Sequence, residues 1–335
     1  MRIALVSDAW HPQRNGVVRV LDSVLTGLEA GGHQVLAIEP GRFRTVACPT
    51  YPEIRLSLLP SAGVRRLLSD FRPQAVHIAT EGPLGWAARR WCLRHDHPFT
   101  TAYHTKFPEY LHARFRLPLS WSYALMRRFH GASAAVMCPS GSVRKELTAR
   151  GFANAVAWAH GVDAALFRPR GKDYLDLPRP VFGYVGRVAV EKNLPAFLSL
   201  DLPGSKLVIG DGPARRDLMN RYPDVHWRIA EDDDHLSRYY AALDCFVFPS
   251  LTDTFGLVML EALASGVPVA AFPVPGPMDV VGESGAGILS KDLGAAAVAA
   301  LGIDPGYCRK YAESFAWERV VFTLQSQLRQ IDSFP

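Results

Sequence analysis

Residues 245–271, CFVFPSLTDTFGLVMLEALASGVPVAA, read as strand, loop, helix and strand in immediate succession. Cys245 to Pro249 is a short apolar run of strand type. Leu257, Leu260 and Leu263 then recur at helical spacing over 256–265, and a second apolar run covers 267–271. A strand, a crossover helix and a strand make the βαβ unit of a parallel sheet covered on both faces.

The same alternation extends outward over almost the whole chain. Residues 2–7 (RIALVS) read as the first strand, followed by a loop from Asp8 to Asn15 and a helix opening near Gly16 and closing at Gly31-Gly32. Further strands are expected at 34–39, 75–80, 98–103, 134–138 and 156–160. The segment Phe167–Asp173, polar and aperiodic with Pro and Gly, is expected to be a linker. A second series has strands at 181–185, 206–209, 225–229, 245–249 and 267–271, with helices at 213–221 and 256–265. The tail from Pro305 to Ile331 is helical in pattern and breaks near Phe315–Trp317. The expected fold is α/β: two Rossmann-like domains, 1–170 and 171–315, facing each other across a cleft at the carboxyl ends of their strands. A closing helix at 316–335 is expected to pack back toward the first domain.

At 335 residues, 48% hydrophobic and 21% charged, the chain has the balance of a folded protein with two sizeable cores. Its net charge of +5 is unevenly spread. Residues 1–170 hold 22 Lys/Arg against 11 Asp/Glu, and residues 171–335 hold 15 against 21. The basic half is suited to phosphate, anionic lipid or nucleic acid. Five scattered cysteines without a C-x-x-C pair read as reduced thiols. The first apolar run, Ile3–Val6, meets Asp8 too early for a signal peptide, and the apolar stretch from Cys245 to Pro275 is broken by Asp253 and Glu261. A cytoplasmic protein is expected, soluble or peripheral on the inner face of the membrane.

Chemistry concentrates at 250–269. Thr254, Phe255 and Gly256 would bring backbone N–H groups to a helix start, where an anionic or hydroxyl-rich ligand is favoured, and Gly256 would let that backbone come close. A plainer reading makes Asp253 or Thr254 the helix N-cap. Glu261 resists a plain reading, because a carboxylate among Leu257, Leu260 and Leu263 needs a partner if buried.

The run resembles the acidic-x7-Glu motif of the retaining nucleotide-sugar glycosyltransferases of family 4, which adopt the GT-B fold. The likeness extends through SDAWHPQRNGVV (7–18), HIATEGPLG (77–85), YHTKFPEY (103–110), GVD (161–163), GRVAVEKN (186–193), GDGP (210–213) and SFAWE (314–318). Within the family it is most similar to GDP-mannose-dependent α-mannosyltransferases and to sulfoquinovosyl- and glycosyl-diacylglycerol synthases. The resemblance implies that Arg187 and Lys192 converge on the donor diphosphate, where two fixed cations replace a metal ion. It implies that Glu261 accepts from the ribose, that Asp253 lies near the transferred sugar, and that Thr254, Phe255, Gly256 and Leu257 hold it. Gly186, Gly210 and Gly16 fall on the donor side by the same likeness, although many relatives carry two glycines where this chain has Gly16-Val17. His104 resembles the family histidine near the donor sugar, and with Asn15 is a candidate on the acceptor side. No cofactor beyond the nucleotide-sugar substrate is implied. Front-face attack, with the leaving phosphate taking the acceptor proton, is likewise what the resemblance implies.

Two readings stand for Glu81, orientation of the acceptor or capping of the helix after Pro83. The run Glu231–Asp234 reads as a solvated loop and helix cap rather than a metal site. Residues 111–130, LHARFRLPLSWSYALMRRFH, mix Arg114, Arg116, Arg127 and Arg128 with Phe115, Trp121, Tyr123, Leu125 and Met126. They suit either an ordinary half-buried helix or contact with an anionic bilayer. Rival classes fare worse. A non-catalytic binder of the same fold would not need Arg187, Lys192 and Glu261 together. A nicotinamide oxidoreductase would show G-x-G-x-x-G after the first strand, which SDAWHPQRNG lacks. No helix-turn-helix or base-stacking motif supports a nucleic-acid partner.

Overall fold

Buried β-branched and aromatic runs form the strands, and in the computed structural model they pair in parallel throughout two separate sheets. The structure describes residues 1–13, 15–48 and 51–331, with side chains at all of these except 51–53 and 113–114. The chain divides into two compact units, Met1–Ala159 with Trp317–Pro335, and His160–Ala316.

In the first unit the strands are β1 (Arg2–Val6), β2 (Gln34–Ile38), β3 (Thr45–Cys48), β4 (Tyr51–Ser57), β5 (Ala75–Ile78), β6 (Thr100–Ala102), β7 (Ala135–Cys138) and β8 (Ala155–Ala157). The parallel sheet runs β2-β1-β5-β6-β7-β8, and β3 and β4 form an antiparallel hairpin of their own that the sequence reading does not contain. Strand order reverses between β1 and β5. The helix Gly16–Ala30 starts where expected, with Asn15 as N-cap accepting from Val18 N at 3.0 Å. Its Gly27 lies against Val321 of the closing helix Trp317–Gln327. Trp158 ties the same helix down, its indole N–H donating to Val320 O at 2.9 Å.

In the second unit β9 (Val181–Val185), β10 (Ser205–Ile209), β11 (His226–Arg228), β12 (Cys245–Phe248), β13 (Val269–Ala271) and β14 (Gly287–Leu289) form a parallel sheet in the order β11-β10-β9-β12-β13-β14. Residues of β12 divide by the period of two. Phe246 and Phe248 pack with Leu260 and Leu263, while Cys245 and Val247 pack with Phe182 and Leu194 on the other face. Here the order reverses between β9 and β12, and a ligand crevice is expected outside the carboxyl ends of strands at such a switch.

The boundary differs from the expected 170/171. Phe167 is fully buried in the second unit and its carbonyl accepts from Arg309 Nη1 at 2.6 Å; Lys172 pairs with Asp244 at 2.5 Å. The polar composition of 167–173 reflects a tethered surface segment, whereas the crossing lies at Ala159/His160 and the return at Ala316/Trp317. Val162 N donates to Phe315 O at 2.9 Å, so the entering and leaving segments lie side by side in the second unit.

Candidate functional site

The loops after β9 and β12 meet at the second switch. Leaving β9, the chain passes through Gly186 and Arg187, whose carbonyl accepts from Tyr184 OH at 2.9 Å, and reaches Lys192 in a single 3₁₀ turn. Leaving β12, it passes Pro249 and reaches Asp253. Asn193 Nδ2 donates to Pro249 O at 3.1 Å, and Lys192 Nζ meets Asp253 Oδ1 at 2.5 Å. Neither residue of that ion pair is widely open to solvent, with side-chain exposures of 19% and 14%. Asp253 Oδ2 is buried and has no hydrogen-bond partner among the described residues.

The plain reading of Asp253 or Thr254 as an N-cap does not hold. The helix runs Leu257–Ala264, and its N-cap is Gly256 in the left-handed region (φ +87°), which has no side chain to offer the cap. The φ of +87° requires glycine there, and a Cβ would stand 2.6 Å from Met259 Cε, the mobile end of a side chain that could move aside. Phe255 is buried with its ring 5.1 Å from His160, so it anchors the turn rather than opening onto it. Thr254 and Leu257 are half-buried beside it.

Glu261 is buried, and the partner the sequence demanded is Tyr240, whose hydroxyl donates to Oε2 at 2.8 Å. Tyr240 comes from the helix Asp233–Ala242 and carries no local sign of this task. Gly210 follows β10 at φ +149°, and a Cβ there would lie 2.0 Å from Gly186 O, so the turns after β9 and β10 touch backbone to backbone.

The first switch is built differently. Asp8, two residues past the end of β1, accepts from Leu84 N at 2.9 Å, Gly85 N at 3.2 Å and Thr80 Oγ1 at 3.0 Å. It is thus the cap of the helix Pro83–Arg94, from across the sheet. Burial pushes its carboxyl up to about 6 against the pull of those three donors. The capping reading of Glu81 falls with this. Glu81 instead takes a hydrogen bond at 3.1 Å from His130, which is itself fully buried and bonded to Thr101 at 2.9 Å.

His104 follows β6 and is buried, its ring 5.7 Å from Trp158. Burial holds its imidazole down to about 4, and the neighbouring His77 down to about 3, so both are neutral at pH 7. Asn15 spends its side chain on the cap and on Gln13 Oε1 at 3.2 Å, and Gly16 is the exposed first residue of that helix.

In the acidic run Asp232 caps the helix through His235 N at 2.8 Å, and Asp234 pairs with Arg170 and Arg238 at 2.9 and 2.8 Å. No group of three or more His, Cys, Asp or Glu among the described residues could hold a metal ion. Residues 111–130 fall on two helices, Phe107–Phe115 and Leu119–His130. Tyr123, Met126 and Phe129 turn inward; Phe115, Trp121 and Leu125 are exposed beside Arg116, Arg127 and Arg128, and the side chain of Arg114 lies outside the described residues. No described helix is long and apolar enough to cross a membrane.

Comparison with known proteins fits this arrangement. The family model described as Glycosyltransferase Family 4 matches residues 14–166, and that described as Glycosyl transferases group 1 matches 179–303. A GDP-mannose-dependent alpha-mannosyltransferase of Corynebacterium glutamicum is 30% identical over 321 residues, covering 86% of this chain and 76% of the relative. The chain belongs to glycosyltransferase family 4. The family 4 chain is also 33% identical to the sulfoquinovosyl transferase SQD2 of Arabidopsis thaliana over 261 residues, covering 72% of itself and 50% of that protein. In fold it is similar to sucrose-phosphate synthase from Thermosynechococcus elongatus, with a TM-score of 0.77, 20% identity and 97% of each chain covered. Anabaena HepE, in its complex with UDP and glucose, gives 0.71 at 15% identity, covering 97% of this chain and 98% of that one. The two Rossmann-like parallel units are those of the GT-B fold.

Proposed function

We propose that this glycosyltransferase moves a hexosyl group from a nucleotide diphosphate sugar of the GDP-mannose or UDP-hexose type to a lipid, lipid-linked or glycan acceptor, with retention and without a metal ion. The observation that carries the reading is the switch point of the second sheet. Lys192 and Asp253 are clasped there, one turn of chain beyond Arg187 and beside the glycine-led start of the helix Leu257–Ala264. The names of relatives support the same direction: α-mannosyltransferases that use GDP-mannose, and an alpha-monoglucosyldiacylglycerol synthase of Streptococcus pneumoniae at 29% identity.

Cleaving the bond between a sugar and a diphosphate builds positive charge at the anomeric carbon and negative charge on the departing oxygens. Arg187 and Lys192 supply fixed cations for the latter, which is where electrostatic preorganisation acts most strongly. The Gly256-led N–H groups and Asp253 hold hexose hydroxyls, and Glu261, kept in one rotamer by Tyr240, accepts from the ribose. Gly186 and Gly210 keep the turns flat enough for the nucleotide to approach. The acceptor oxygen attacks from the face the diphosphate leaves, and a phosphate oxygen takes its proton. His104, neutral at pH 7, serves the donor sugar as a hydrogen-bonding imidazole rather than a charged acid. Asn15 and Glu81 belong to the loops at the first sheet's switch, on the acceptor side of the reaction, and Gly16, next to Asn15, meets the donor phosphates.

The acceptor side also carries Phe115, Trp121 and Leu125 exposed beside Arg116, Arg127 and Arg128, a combination suited to an anionic bilayer surface. A panel of nucleotide sugars incubated with the pure protein tests the central reading. One donor should be slowly hydrolysed and should raise the melting temperature; no response to any donor would remove it. Flotation with anionic vesicles at low salt tests the membrane contact, and protein left entirely at the bottom of the gradient would refute it.

A further inference from the structure

We propose that Asp253 makes the site prefer the intact donor over the nucleoside diphosphate left after transfer, because it competes with the diphosphate for Lys192. This inference rests on the nucleotide-sugar reading of the same site.

Three observations lead to it. First, Lys192 Nζ is already engaged by Asp253 Oδ1 at 2.5 Å, in surroundings that shield both groups from water and so weaken screening. Second, the pair cannot easily swing apart, since the loops bearing it are tied by Asn193 Nδ2 to Pro249 O and by Thr252 Oγ1 to Glu191 O, at 3.1 and 3.5 Å. Third, Asp253 Oδ2 is buried without a hydrogen-bond partner among the described residues, although a carboxylate oxygen so placed needs a donor.

Taken together these give the carboxylate two opposed effects. It repels the phosphates that Lys192 attracts, which lowers affinity for any nucleotide. A hexose hydroxyl donating to Oδ2 offsets that repulsion, and only the intact donor brings one. After transfer the diphosphate faces the carboxylate without that hydrogen bond, and Asp253 regains full hold on Lys192. Selectivity of this type comes from a repulsive element acting on the unwanted ligand. Here the unwanted ligand is the product, and the consequence is faster release.

Calorimetric titration of the wild-type chain, Asp253→Asn, Lys192→Met and the double variant with GDP and with UDP tests the idea. Asp253→Asn should bind the preferred nucleotide about tenfold more tightly, the scale of one modest charge interaction, while its transfer rate falls. Product inhibition by that nucleotide should strengthen in step, and the gain should vanish in the Lys192→Met background. Unchanged or weaker binding in Asp253→Asn overturns the proposal and would make Asp253 a group that only aims Lys192; the nucleotide-sugar reading would survive. Wild-type protein that binds neither nucleotide, nor any other nucleoside diphosphate, overturns both. Asp253→Ser provides a second neutral replacement, so misfolding of one variant does not shelter the idea.

Discussion

The two sheets reverse their strand order at equivalent places and finish them in opposite ways. At the first switch, between β1 and β5, Asp8 turns inward and spends its oxygens on Leu84 N, Gly85 N and Thr80, sealing strand end to helix start. At the second, between β9 and β12, the carboxylate of Asp253 meets a lysine and leaves one oxygen unsatisfied, and the following helix opens on Gly256, which brings no side chain to its cap. Charge differs in the same sense. The unit Met1–Ala159 with Trp317–Pro335 holds 22 Lys/Arg against 12 Asp/Glu, a net of +10, and His160–Ala316 holds 15 against 20, a net of −5. So the phosphate-binding cations proposed here sit in the acidic unit. Overall charge says little about where a phosphate goes; two cations held at a strand end say more.

Substitutions at the two switches should separate chemistry from stability. The largest effect is expected for Arg187→Ala, which should lower turnover by about 10²–10³-fold, the loss typical of one preorganised charge-stabilising donor. Full activity in steady-state assays would break the assignment of the second switch to the diphosphate.

Gly210→Ala comes next. Its Cβ would lie 2.0 Å from Gly186 O at a φ of +149°, so strain and overlap should cost about 3 kcal/mol or more in chemical denaturation. A neutral result would mean the turns after β9 and β10 can part.

Asp8→Ala should cost about 1–2 kcal/mol, the worth of a helix cap, with the loss seen as reduced amide protection at the start of the helix Pro83–Arg94. No change in protection there would contradict the sealing role.

The smallest and most gradual effect is with pH. His77 and His104 have folded values near 3 and 4, well below their ordinary 6.5, so the stability they contribute is present above about 6.5 and lost as pH falls toward 4. Asp8 works in the opposite sense: its folded value of about 6 lies above the ordinary 3.8, so its contribution is present below 3.8 and declines as pH rises toward 6. In urea melts Asp8→Asn should therefore show a steeper acid loss than the wild type between pH 6 and 4. Parallel curves would show that Asp8 does not titrate in that range.

Much of the fold was legible because parallel βαβ units write themselves locally, as short apolar runs separated by helical periods. The hairpin β3–β4 escaped because its exposed edge residues, Val46 among them, lack the apolar continuity of the central strands. The boundary was misplaced because polar composition marks exposure, and a surface segment anchored by Phe167 and Lys172 is as polar as a true crossing. At the site, Arg187, Lys192, Asp253 and Gly256 stood out through motif spacing. Asp8 as a cap and Tyr240 as the partner of Glu261 did not, since neither has a neighbour in sequence that betrays its task.

Sequence alone determined most strands of the two parallel sheets, though not β3, β4 or β14, and which loops hold cations, carboxylates and glycines, because these follow from spacings of a few residues. Which charged group meets which was decided only by the tertiary structure. Lys192 and Asp253 lie 61 positions apart, and Asp8 and Leu84 76 apart. Such pairs are brought together by strand order in the sheet, and that order is settled by how all the helices pack over it, not by any one segment.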